Sequence, residues 1–390
     1  MQVTFVSNYI NHHQIPVSNE MYARLGEKYH FVQTEPMEEE RVKMGWGEEV
    51  KELPYLLCYY EQPQLCQQLI LESDVVIFGG VEDESYIAPR LEKGLFTIRY
   101  SERIYKEGQW KRISPRGLLK KYKDHIRYRK SDVYLLCSGG YVADDFRLIG
   151  AYPDKMMKWG YFPKQYHYDL NELFKKKENS GVPIILWVGR MIELKHPEYA
   201  LYMAEQLKKQ GKKFKLRFIG DGNKKEELVL EVKRKGLNDV VEFLGFMSPE
   251  EVRSQMEEAR VLLMTSNRIE GWGAVVNEAM NAGCVVVASH IIGSAPYLIR
   301  HRKNGMIFKA LDADSLTENV SEIINNDCYL KEMGREAYLT IDKLWNATTA
   351  VERLLAFCEH KNVNAYQEGP CSKAVPVREG KMYQKLVKTR

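Results

Sequence analysis

Two carboxylates, Glu270 and Glu278, stand eight positions apart in the segment Glu270-Gly271-Trp272-Gly273-Ala274-Val275-Val276-Asn277-Glu278-Ala279-Met280. Gly271 and Gly273 open a helix there. Its exposed amides and dipole favour an anion such as a diphosphate, and the glycines let a ligand approach the backbone. Glu278, one turn inside that helix, is expected to face the same cleft, where a carboxylate can accept both hydroxyls of a ribose. Glu270, in the preceding loop, can accept hydroxyls of a sugar ring. Upstream, Arg190 follows Val188-Gly189, and Lys195 lies five residues further on. Two cations there suit two phosphates and would stabilise the charge that grows on a departing diphosphate. Gly220-Asp221-Gly222 and Gly245-Phe246 close two more strands, where backbone groups are placed to hold a nucleotide base. Each feature also has a plainer reading. An acidic residue early in a helix is favourable for the dipole alone, and most arginines and lysines are simply solvated.

The elements that must position these residues show in the apolar pattern. Short β-branched runs alternate with amphipathic stretches, as in a parallel sheet covered by helices on both faces. In the first half the pattern predicts strands at Val3 to Val6, Val75 to Phe78, Phe96 to Arg99 and Val133 to Cys137, with a helix near Ser18 to Leu25. The second half is more regular, with strands at Ile184 to Val188, Leu216 to Ile219, Val240 to Phe243, Val261 to Met264 and Val285 to Ala288. This is a doubly wound domain, whose ligands bind at the carboxyl edge of the sheet. Tyr161-Phe162-Pro163 and the polar run Lys175 to Gly181 break the periodicity and mark a boundary near residues 160 to 181. Beyond Asp327 the pattern turns helical through Phe357.

A chain of 390 residues with 44% hydrophobic and 28% charged content can bury two full cores. A net charge of +4 does not by itself imply nucleic acid. The seven cysteines are odd in number and have neither a Cys-x-x-Cys pair nor a histidine at zinc-ligand spacing, which favours a reducing cytosol. No stretch approaches the roughly 18 apolar residues of a membrane span. Asp312 and Asp314 match a metal-binding Asp-x-Asp pattern, but they precede a helix beginning near Ser315 and read better as its cap. No glycine fingerprint of a nicotinamide-binding domain opens either half.

In order along the chain, Val188-Gly189-Arg190 with Lys195, Gly220-Asp221-Gly222, Phe243-Leu244-Gly245-Phe246, Glu270 to Glu278, Ala282-Gly283 and Asn304-Gly305 resemble the family four glycosyltransferases, a large group of retaining GT-B enzymes. The resemblance runs from about residue 183 to 345. It implies an α/β fold of two Rossmann-like doubly wound domains facing a cleft, with a C-terminal helix crossing back to the first. Residues 1–162, completed by about 346–390, would form the acceptor-side domain, and residues 163–345 the domain that binds the nucleotide-sugar donor. By that resemblance Arg190 and Lys195 bind the donor diphosphate, Glu270 contacts the transferred sugar and Glu278 the ribose. Gly271, Trp272, Gly273, Ala274, Asp221, Gly245 and Phe246 complete the donor site. The implied donor is a UDP- or GDP-sugar, used without a further cofactor or a metal, and the implied acceptor is a saccharide or lipid-linked molecule. The expected activity is hexosyl transfer in polysaccharide or glycolipid assembly, in the cytoplasm.

The first half departs from the family pattern. Where many relatives carry a glycine-rich loop after the first strand, this chain has Asn8-Tyr9-Ile10-Asn11-His12-His13-Gln14-Ile15-Pro16. Where many place a histidine after a middle strand, it has Tyr100-Ser101-Glu102-Arg103. Glu102 or Ser101 is expected to replace that group, or His12 or His13 to approach from the other loop. Their plainer readings are surface histidines and a salt-bridged turn. Pro296-Tyr297 has a tyrosine where relatives often have a glutamate. Between Lys111 and Lys130 nine basic residues face one acid, Asp124, with Leu118, Leu119, Tyr122, Ile126 and Tyr128 interleaved. The run is either a solvated helix face or a basic amphipathic helix resting on an anionic membrane surface, peripheral at the inner face. Two other functions share these motifs: a sugar-nucleotide epimerase or hydrolase, and a catalytically silent nucleotide-sugar-binding partner subunit.

Overall fold

Most strands are runs of buried apolar residues with little alternation, the composition of parallel strands covered on both faces. The first seven are β1 (Val3–Ser7), β2 (Tyr29–Gln33), β3 (Leu56–Cys58), β4 (Val75–Gly79), β5 (Thr97–Ser101), β6 (Val133–Ser138) and β7 (Met156–Trp159). They form one parallel sheet in the order β3-β2-β1-β4-β5-β6-β7. The next six are β8 (Ile184–Val188), β9 (Lys215–Ile219), β10 (Val241–Gly245), β11 (Val261–Met264), β12 (Val285–Ser289) and β13 (Gly305–Phe308). They form a second parallel sheet in the order β10-β9-β8-β11-β12-β13. The computed structural model describes residues 1–37, 50 and 53–388, and the side chains of Lys111 and Arg112 lie outside what is described. The chain divides into a first unit, Met1–Lys164 with Trp345–Val377, and a second, Gln165–Leu344 with Arg378–Arg390. Each is a Rossmann-like α/β unit built on one parallel sheet.

Helices begin where the local chemistry dictates. Pro16 sits in the first turn of the helix Ile15–Leu25, and Ser248 with Glu251 closes a capping box on the helix Pro249–Glu258. Asp312 accepts from the amide of Ser315 (2.9 Å) and caps the helix Ala313–Ile323, while Asp314 accepts from the hydroxyl of Tyr202. In the first unit the helix Ala347–His360 packs on the helix Ile15–Leu25. Cys371 to Ala374 then bond along β7, with Lys158 N donating to Ser372 O and Ala374 N to Met156 O, so the edge of that sheet is covered.

One boundary differs from expectation. Residues 346–390 are expected to complete the first domain, but Arg378–Arg390 group with the second unit. The cause is local. In the helix Glu379–Lys388, Met382 is buried, Glu379 pairs with Arg268 and Tyr383 packs its ring on His290. All seven cysteines are free thiols. Among the described residues no helix is long and apolar enough to cross a membrane.

Candidate functional site

In the second sheet the strand order reverses direction between β8 and β11, and loops leaving neighbouring strands on opposite sides open a crevice at such a switch point. The loop after β8 carries Arg190 and Lys195, and the loop after β11 carries Glu270. Lys195 Nζ and the Glu270 carboxylate form an ion pair across this point, although 75 residues separate them in the chain. Their side chains are 19% and 16% exposed, so the pair is held largely out of water. Backbone groups fix both sides. Thr265 Oγ1 donates to the carbonyl of Lys195 (2.6 Å), Asn267 N to the carbonyl of Leu194 (2.9 Å), and Glu270 N to the carbonyl of Asn267 (3.2 Å). Arg190 stands exposed on the same loop as Lys195.

Downstream of Glu270, Gly273 adopts φ +82°, a conformation that favours glycine, and a Cβ there would lie 2.8 Å from Cε of Met264, which would have to shift. The helix Val275–Asn281 follows, with no side chain capping its first amides. Burial pushes the Glu278 carboxyl above its ordinary range, and the nearby Arg253 guanidinium opposes this. Arg253 donates to the backbone carbonyl of Glu278 (2.9 Å) and lies over the ring of Tyr166, 4.4 Å from its centroid. Trp272 is 1% exposed and donates through Nε1 to Oδ1 of Asn277 (2.7 Å). Its side chain therefore fills the core, and only its backbone, with Gly271, Gly273 and Ala274, faces the loop.

The remaining donor-site candidates stand on neighbouring loops. Asp221 follows β9, accepts from the amide of Gly222 (2.7 Å) and pairs with Lys225 (2.8 Å). Lys225, then the Gly222 amide, holds its carboxyl below the usual range. The carboxylate thus serves its own turn. The glycines on either side allow backbone contact: Gly189 N donates to Ile219 O (3.0 Å), Met191 N to Asp221 O (2.8 Å) and Gly220 N to Gly245 O (2.7 Å). Phe246, just beyond β10, is 72% exposed.

The first sheet has its own switch point, between β1 and β4, and a cavity of about 670 Å³ opens at the carboxyl edge there. Asn8, His13, Tyr100, Glu102, Lys121 and Tyr161 are among the residues that line it. His13 stacks on Tyr161 (ring centroids 5.1 Å apart), and the Tyr161 hydroxyl donates to Glu102 Oε1 (2.6 Å). Lys106 pairs with the other oxygen of Glu102. Burial, with Tyr100 and Glu102 nearby, holds the Tyr161 hydroxyl firmly protonated. Two of the sequence candidates, His13 and Glu102, are thus joined through a tyrosine that the sequence reading used only as a boundary marker. His12 does not line the cavity, although its ring lies 3.7 Å from that of His13. Ser101 Oγ donates to the carbonyl of Glu102, and Arg103 pairs with buried Asp145 instead of Glu102. His125, pushed down to about 2 by burial and then by Arg99, is neutral and shares a 2.8 Å hydrogen bond with Tyr152.

One wall of this cavity is the basic helix Pro115–Asp124. Lys120 and Lys121 line the cavity and Lys120 pairs with Asp124 (2.9 Å), while Leu118, Leu119 and Tyr122 are exposed. Trp110 and Ile113, just upstream, are exposed as well. Tyr128 is buried and Ile126 packs against the core of the first unit, so these two do not belong to the outward face.

Residues 170–340 match the profile of the family described as glycosyl transferases group 1. A putative colanic acid biosynthesis glycosyltransferase, WcaL of Salmonella typhimurium, is 27% identical over 224 residues, covering 55% of this chain and 53% of that protein. The amylovoran biosynthesis glycosyltransferase AmsK of Erwinia amylovora is 28% identical over 180 residues, covering 45% of this chain and 44% of its own length. The chain spans about half the length of these curated relatives. Among solved structures, Anabaena Alr3699/HepE in complex with UDP superposes with a TM-score of 0.67 over 93% of this chain and 100% of that one. At 14% identity this likeness speaks to the fold. Residues 170–340, which span most of the second unit, are thus the part of the chain that is similar to the glycosyl transferases group 1.

Proposed function

We propose that this protein is a retaining glycosyltransferase that moves a sugar from a UDP- or GDP-sugar to a saccharide or lipid-linked acceptor. The observation that carries the reading is the Lys195–Glu270 pair at the switch point of the group 1 domain. A cation suited to phosphate and a carboxylate suited to sugar hydroxyls are held in contact with each other and largely out of water, where charge is most effective. On donor binding Lys195 exchanges Glu270 for a phosphate oxygen. Arg190, exposed on the same loop, takes the other phosphate, and Glu270 is released to the hydroxyls of the transferred sugar. Glu278 accepts from the ribose. These cations supply the positive field at the diphosphate, so no metal or further cofactor is required. The relatives support the pathway: two are named as polysaccharide biosynthesis glycosyltransferases, and one of similar fold was solved with UDP.

The acceptor enters the cavity of the first unit, where Glu102, oriented by Tyr161, and His13 meet its hydroxyls. The helix Pro115–Asp124 rests on an anionic membrane surface at the cytoplasmic face, with Leu118, Leu119 and Tyr122 against the lipid. Each basic residue near such a surface contributes about 1 kcal/mol, screened by salt. Two experiments test this. Glu278→Ala weakens nucleotide-sugar binding and Glu270→Ala mainly slows transfer, each by about 1.5–3 kcal/mol. Unchanged affinity and turnover in both folded variants refute the site. Co-sedimentation with phosphatidylglycerol vesicles is lost when Lys120, Lys121 and Lys123 are replaced by glutamate, whereas equal recovery with neutral vesicles removes the membrane contact.

A further inference from the structure

We infer that the helix Glu379–Lys388 positions the Glu270 loop, with Glu379 holding Arg268 away from the Lys195–Glu270 pair. The inference rests on the assignment of Glu270 to the transferred sugar made above. The loop after β11 is anchored at its start, where Asn267 N bonds to Leu194 O, and the amides of Ile269 (3.0 Å) and Glu270 (3.2 Å) turn back onto Asn267. Its tip is less enclosed: the Ile269 side chain is 47% exposed and that of Arg268 is 42% exposed. At this tip Arg268 pairs with Glu379 at 2.9 Å.

The last helix is held independently of that ion pair. Met382 is 3% exposed, and the ring of Tyr383 lies 5.2 Å from that of His290. His290 is itself fixed, since its amide donates to Phe308 O (3.0 Å) and its Nδ1 accepts from Ala310 N (2.9 Å). Burial lowers the proton affinity of its imidazole, in keeping with this acceptor role. Glu379 is therefore presented by a rigid element. Arg268 stands two residues before Glu270, and a guanidinium binds a carboxylate through a planar fork that the Lys195 ammonium lacks. Without Glu379, Arg268 competes with Lys195 for Glu270 and shifts that carboxylate from the place where it meets the sugar. Glu379 is a positioning residue that acts through Arg268.

The test is a double-mutant cycle of Glu379→Gln and Arg268→Gln in the full chain, with Glu379→Asp as the conservative variant. Alone, Glu379→Gln lowers kcat about two- to fivefold, the scale of one partly exposed ion pair, and leaves the Kd for UDP within about twofold. In the Arg268→Gln background the same change has no effect, and Glu379→Asp retains most of the activity. Hydrogen exchange needs no acceptor: amides of residues 267–270 exchange faster in Glu379→Gln than in the parent. Unchanged exchange, or effects of the two substitutions that simply add, overturns the inference. If Glu270→Ala abolishes transfer while Glu379→Gln does nothing, this inference alone fails. If Glu270→Ala is silent, the reading beneath it fails first.

Discussion

Gly220→Ala tests whether the loop bearing Arg190 is held in place by direct backbone contact. Gly220 adopts φ +123°, which L side chains rarely adopt, and its added Cβ would lie 3.0 Å from the Gly189 carbonyl carbon and closer still to the oxygen. The backbone strain alone costs about 1–3 kcal/mol, and pushing the Gly189–Met191 strip off β9 adds an overpacking cost of about 1–3 kcal/mol. A total of about 2–6 kcal/mol lowers the melting temperature of a unit of this size by roughly 4–24 °C, at about 2–4 °C per kcal/mol. Gly211→Ala is the control, because Gly211 has φ +70° but no atom within 4 Å of its notional Cβ. It costs only about 1–2 kcal/mol of left-handed strain. Calorimetric melting of the two variants, with titration of UDP into each, separates the effects. Gly220→Ala should melt well below Gly211→Ala and bind UDP more weakly, because Arg190 and Lys195 move with the strip. Equal melting temperatures, or unchanged UDP affinity in Gly220→Ala, refute the packing argument.

The Glu278 carboxyl is raised by burial above its ordinary 4.5, so between those values the native chain holds a proton that the unfolded chain has released. Stability therefore falls as pH rises through that window, and Glu278→Gln removes this slope from melting curves taken across it; identical slopes refute it. Transfer should proceed with retention at the anomeric carbon and survive a chelator, and an inverted product or activity restored only by magnesium or manganese contradicts this. Asp221→Asn should change UDP affinity by less than about twofold, because the carboxylate is committed to Gly222 and Lys225; a tenfold loss would make it a ligand.

Sequence periodicity placed β8 to β12 within two residues because their short apolar runs alternate regularly with helical patterns and are bounded by turns. It missed β2, β3, β7 and β13. Leu56–Cys58 is only three residues long, Tyr29–Gln33 and Met156–Trp159 mix apolar with polar side chains, and Gly305–Phe308 opens on a glycine. Residues of the candidate site were legible for a similar reason: Arg190, Lys195 and Glu270 follow strands that the pattern marks. Their pairing was not, because it depends on β11 lying next to β8, and strand order is a tertiary property. Nor did the sequence say which way side chains point, so the Trp272–Asn277 and Asp221–Lys225 contacts emerge only from the structure. Tyr161 reads in the sequence only as a boundary residue, because it follows β7, one of the missed strands, and meets Glu102 across 59 positions.

In the proposed reaction Lys195 is the phosphate cation, paired with Glu270 until a nucleotide arrives. Calorimetric titration of UDP and GDP into the parent chain and into Lys195→Ala tests this directly. One of the two nucleotides should bind the parent and lose about tenfold or more in affinity with Lys195→Ala, the scale of one charge-assisted contact. A parent chain that binds neither nucleotide, or a Lys195→Ala variant that binds as tightly as the parent, would contradict it.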